Sequence, residues 1–117
     1  MDYEPYIRKL RERRAQEKLL AEKKRHEALE LAKEIAKVLK MSFSARQVIL
    51  FGSVLSPEAF HLRSDIDMAV VGIPLDKFFT AYGHVLSMAR NFNVDLVDLG
   101  NCRPAVSEKI EKEGIKL

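Results

Sequence analysis

Val48-Ile49-Leu50-Phe51-Gly52-Ser53 opens a stretch that closes, after residues 54–63, on Ser64-Asp65-Ile66-Asp67-Met68-Ala69-Val70-Val71. Residues 48–51 form a short apolar, partly β-branched run ended by a glycine, the pattern of a buried strand. Gly52 permits positive φ and close approach of another group to the backbone, and Ser53 adds a hydroxyl there. Asp65 and Asp67 head a second apolar run over residues 68–71, so alternation along a strand aims both carboxylates at one face. Packing explains such a pair poorly, because adjacent carboxylates repel unless a cation or proton neutralises them. A divalent metal with hard oxygen ligands, magnesium or manganese, is the natural neutraliser.

Outward from this stretch the chain reads as an α/β protein of the α+β kind. Residues 4–40 are rich in Glu, Lys, Arg, Ala and Leu, with no Gly and no Pro after Pro5, and predict one long helix. Ala28, Leu31, Ala32, Ile35, Val38 and Leu39 recur at helical spacing and should pack on the sheet. The first half carries only Ile7, Leu10, Leu19 and Leu20 as large aliphatic residues, too few to bury. Residues 1–27 are therefore expected to be a projecting basic arm, and residues 28–117 the folded domain.

After Gly72, Pro74 and Asp76 suit a helix start. Leu75, Phe78, Phe79, Tyr82, Leu86 and Ala89 should form its core face, and Gly83 should mark a close approach to the sheet. Residues 93–99 predict a third strand. Residues 103–113 predict a last helix with Val106 and Ile110 inward, stopped by Gly114 and followed by a short extended tail. Residues 58–62 are expected to make a helical turn. The result is a small mixed sheet of three to four strands flanked by helices.

The composition sets bounds. The chain has 117 residues, 47% hydrophobic and 32% charged, which fits a single globular domain. One cysteine, Cys102, excludes an internal disulfide framework and a cysteine-rich zinc site. No apolar run reaches the roughly 20 residues of a membrane span, and the N-terminus is charged, so a cytoplasmic protein is expected. The net charge of +3 is uneven. Residues 1–26 hold nine basic groups against five acidic ones, whereas the remainder holds eleven against twelve. Those five acids and the lack of interleaved aromatics argue against a dedicated nucleic-acid surface.

Phe51-Gly52-Ser53, the later Ser64-Asp65-Ile66-Asp67, and Val94-Asp95-Leu96-Val97-Asp98 together resemble the minimal nucleotidyltransferases of the DNA polymerase β superfamily. The resemblance covers roughly residues 40–117. It implies that the Gly52-Ser53 turn grips a nucleoside triphosphate, ATP by the habit of the family, with Arg63 and Ser64 beside the nucleotide. It implies too that Asp65, Asp67 and a third carboxylate hold two magnesium or manganese ions. Asp95, Val97 and Leu99 repeat the face pattern of Asp65, Asp67, Ala69 and Val71, which favours Asp95 as the third, with Asp98 the alternative. His61 lies close to the aspartates in sequence but reads as a minor candidate for proton transfer.

The implied activity is metal-dependent transfer of a nucleoside monophosphate to an acceptor hydroxyl. Larger relatives add a helical domain, for which the eighteen residues after Leu99 are too few, so the missing wall is expected from another chain. The resemblance suggests a HEPN-type toxin neutralised by this chain as antitoxin, or a second copy met through the N-terminal helix. The alternative is an inactive antitoxin that neutralises its partner by contact alone.

Overall fold

The computed structural model describes residues 2–117. The chain runs α1 (Glu4–Ser42), β1 (Gln47–Phe51), β2 (Ile66–Val71), α2 (Leu75–Met88), β3 (Val94–Asp98), α3 (Pro104–Glu113) and β4 (Ile115–Lys116), with 3-10 turns at Ser53–Leu55 and Leu99–Asn101. The sheet order is β3-β2-β1-β4. β1 is antiparallel to both β2 and β4, whereas β2 and β3 are parallel. The mixed α+β architecture with a long first helix is the one expected.

α1 stops where Ser44 takes a left-handed φ of 61° and the Ala45 N–H returns to the Leu39 carbonyl at 3.0 Å. This capping bond satisfies a carbonyl that the helix itself leaves open. Only the second half of α1 is buried, through Ala28, Leu31, Ala32, Ile35, Ala36 and Leu39. Upstream, Tyr3, Tyr6, Leu19 and Leu20 are all exposed. The helix stretches the molecule to 65 × 30 × 18 Å.

Strand alternation sorts the core into two layers. Val48, Leu50, Met68, Val70, Val94 and Leu96 face α1 and α2. Ile49, Ala69 and Leu99 face the other way, against Ile110 of α3, with Phe51, Val71 and Val97 at the margin. Gly114 lets the tail turn back onto β1, since a Cβ there would lie 2.3 Å from Ile49 Cγ2.

Four expectations are corrected. α2 buries Phe78, Ala81 and Val85, while Leu75, Phe79 and Leu86 stand in solvent, Phe79 at 75% exposure. Its apolar residues cover more than one face, and the sheet takes the strip centred on Ala81, which lets the helix approach. Gly83 accordingly marks no close approach, as nothing lies within 4 Å of a Cβ placed there. Val106 is also exposed, leaving Ile110 as the buried residue of α3. Residues 57–63 form turns and no continuous helix: after Pro57 a single turn closes with the Phe60 N–H donating to the Ser56 carbonyl at 3.0 Å, and the series goes no further.

Candidate active site

Strand register brings the acidic residues together. Across the parallel β2–β3 pair Asp67 stands opposite Asp95, and across β1–β2 Asp67 stands opposite Phe51. Gly52 therefore passes directly over Asp67. Its φ is +84°, and a Cβ there would lie 2.3 Å from Asp67 Oδ2. Only glycine leaves room for both the turn and the carboxylate. Asp65 lies one residue before β2 begins and is exposed, as is Asp95.

Burial pushes the Asp67 carboxyl above the usual carboxylate range, and the negative charges of Asp95 and then Asp65 push it further. Its carboxylate thus feels both neighbours. Among the described residues, no three His, Cys, Asp or Glu side chains stand ready-made at metal-binding separation. The chemistry of the donor set nonetheless fits a hard divalent cation: these are oxygen donors only, and positive charge between them would relieve the repulsion that raises Asp67.

A cleft of about 860 Å³ opens beside these groups, lined by Gly52, Ser53, Asp95 and Val97 on one side and by Val106 and Lys109 of α3 on the other. Ser53 begins a 3-10 turn in which the Leu55 N–H donates to the Gly52 carbonyl at 3.2 Å and the Ser56 N–H to the Ser53 carbonyl at 3.0 Å. Arg63 and Ser64 do not line this cleft. Arg63 borders a second groove, between α1 and residues 57–63. The Ser64 hydroxyl accepts from the His61 N–H at 2.9 Å and so braces the loop. His61 Nδ1 accepts from the Arg63 N–H at 3.2 Å, another local turn bond.

Asp98 has a different employment. It caps the following 3-10 turn, accepting from the Gly100 N–H at 3.2 Å and Asn101 Nδ2 at 2.7 Å. Two residues near the acids carried no signal in the sequence. Tyr82 of α2 donates its hydroxyl to Asp95 Oδ1 at 3.1 Å, although its spacing reads simply as core. Lys109 belongs to an ordinary charged helix face until α3 swings it over the cleft.

Comparisons with known proteins bear on the fold and the family. A structure described as a candidate minimal nucleotidyltransferase is 26% identical, with a TM-score of 0.62, covering 78% of this chain and 94% of its own. A toxin–antitoxin crystal structure with AMP-PNP is 27% identical, with a TM-score of 0.58, covering 73% of this chain and 70% of its own. The MntA–HepT toxin–antitoxin structure shares the fold at 23% identity, a TM-score of 0.54, and coverage of 74% and 68%. No curated protein matches the chain. The family model described as polymerase beta, nucleotidyltransferase matches residues 33–117, and with the Gly52–Asp67–Asp95 arrangement lying inside that span, the chain belongs to the polymerase β nucleotidyltransferase family.

Proposed function

We propose that this protein transfers a nucleoside monophosphate, AMP from ATP, to a hydroxyl on a partner protein. The observation that carries the reading is the register that sets Asp67 against Asp95 beneath Gly52, at the edge of a cleft. Asp65, Asp67 and Asp95 would hold two magnesium or manganese ions, which when bound stabilise the attacking and leaving oxygens of an in-line displacement. The N–H groups of the Gly52-Ser53 turn and the Ser53 hydroxyl hold and orient the terminal phosphates. The acceptor oxygen bonds to the α-phosphorus as the bond to pyrophosphate breaks, and Asp95 takes the acceptor's proton. The similarity to a toxin–antitoxin structure with AMP-PNP supports an adenine nucleotide and a role as antitoxin.

A HEPN-type toxin is the partner this reading favours. The exposed Tyr3, just before α1, and Tyr6, Leu19 and Leu20 on it, all within the arm of residues 1–27, offer it a docking element. Phe79 and Leu86 are exposed and stand about one turn to either side of Tyr82 along α2, the residue whose hydroxyl reaches Asp95.

The test is transfer of label from α-labelled ATP to the partner in the presence of magnesium, comparing wild type with Asp67→Asn. Labelling by wild type alone supports the reading. If neither protein labels the partner and both neutralise it equally, the protein acts by contact and the transferase reading fails.

A further inference from the structure

The 3-10 turn that begins at Ser53 is left one hydrogen bond short by the sequence. Leu55 donates to Gly52 and Ser56 to Ser53. The next bond of that series would run from residue 57 to the Val54 carbonyl, but residue 57 is proline: it has no N–H to give, and Ser56 before it is extended (φ −120°, ψ 116°), which turns the chain away from the series. Val54 is fully buried, and a buried carbonyl without a donor is costly.

The donor comes from far away in the chain. Arg25 of α1 places Nε 2.7 Å from the Val54 carbonyl oxygen, in a partly buried contact spanning 29 residues. One residue earlier on the helix, Lys24 Nζ donates to the Leu62 carbonyl near the other end of the same loop. The segment joining the Gly52-Ser53 turn to the aspartates is thus strapped at both ends to one helix. Arg25 also lies at the junction between the exposed and buried halves of α1, three residues before Ala28.

We infer that Arg25 is a positioning residue for the nucleotide: its guanidinium supplies the hydrogen bond that Pro57 withholds, and so fixes the Gly52-Ser53 turn in its phosphate-binding shape. The inference rests on the nucleotidyltransferase reading above. Arg25 touches no substrate; it acts through the Val54 carbonyl. It does, however, tie the phosphate turn to the helix whose first half stands in solvent. A charged donor to a carbonyl is among the stronger hydrogen bonds of a protein, and the turn it completes begins at the residue that meets the phosphates.

The experiment measures binding of AMP-PNP with magnesium by calorimetry, and amide exchange at residues 53–56, in the full chain. Arg25→Ala should weaken AMP-PNP binding by about tenfold and speed exchange at the turn, while kcat at saturating nucleotide changes little. Arg25→Lys, which keeps a cationic donor, should recover part of the loss. Pro57→Ala restores the missing backbone N–H and releases Ser56 from the extended conformation that a following proline imposes, so Arg25→Ala combined with Pro57→Ala should bind more tightly than Arg25→Ala alone. A general loss of stability would not be repaired selectively by Pro57→Ala. If Arg25→Ala binds AMP-PNP as wild type does, or if the double variant shows no recovery, the inference is overturned while the transferase reading stands. If wild type itself binds no AMP-PNP, the nucleotide reading falls and this inference with it.

Discussion

The Tyr82 hydroxyl donates to Asp95 Oδ1 at 3.1 Å, joining a helix on one face of the sheet to an acidic residue on its edge strand. Burial raises the Tyr82 pKa, a backbone hydrogen bond from Leu96 opposes it, and the hydrogen bond to Asp95 and its negative charge raise it further. The phenol therefore stays protonated and remains a donor throughout the neutral range. Tyr82→Phe should keep the fold and nucleotide KM but lower kcat by about tenfold, the usual scale for losing a partner that orients a metal-binding side chain. A manganese titration followed by electron paramagnetic resonance should show weaker binding in the variant. Unchanged kcat and manganese affinity would leave Tyr82 as packing only.

Asp67 predicts a stability effect opposite in sign to its effect on activity. Burial, then Asp95, then Asp65 raise its folded pKa, so its ionised form destabilises the metal-free protein at neutral pH. With EDTA present, Asp67→Asn should melt at higher temperature than wild type at pH 7. The gap should close as pH falls through the raised pKa towards the ordinary carboxylate value, where both proteins carry a neutral side chain. Manganese should then raise the Tm of wild type by about 4 °C or more and leave that of Asp67→Asn nearly unmoved. Thermal scans across pH, with and without metal, check each sign.

Asp95 and Asp98 lie on opposite faces of β3 and should separate cleanly on substitution. Asp98→Ala removes the cap of the Leu99–Asn101 turn and should cost about 1 kcal/mol of stability with transfer activity retained. Asp95→Ala should abolish transfer with little loss of stability, since its side chain is exposed. Urea unfolding alongside the labelling assay distinguishes the two, and the reverse pattern would make Asp98 the third carboxylate.

Phe78 and Phe79 adjoin in sequence but differ in surroundings, at 8% and 75% exposure. Phe78→Ala should cost about 3–5 kcal/mol through lost burial and a residual cavity. Phe79→Ala should stay within about 0.5 kcal/mol in the isolated protein, and any larger effect should emerge only in binding the partner. Denaturant midpoints for the two variants are a direct measure of which face of α2 the sheet covers.

Periodicity alone located the long helix, three strands and both shorter helices. Those elements follow from local rules: alternation in strands, helical spacing in α1, and Pro and Gly at the ends. Gly52 and the pair Asp65 and Asp67 were legible for the same reason, since an acidic pair heading an apolar strand has few packing explanations, whereas Asp95 joined them through the family resemblance and its place on the matching strand face. What only the tertiary structure decided was which side of each helix meets the sheet and which distant groups serve the turn. α2 offers apolar residues on more than one face, and no local rule says that Ala81 rather than Phe79 is covered. Likewise Arg25 is one base among many in a charged helix. It becomes a donor to Val54 because the fold lays α1 across a turn whose own proline lacks the hydrogen, a matter of three-dimensional proximity that spacing along the chain cannot encode.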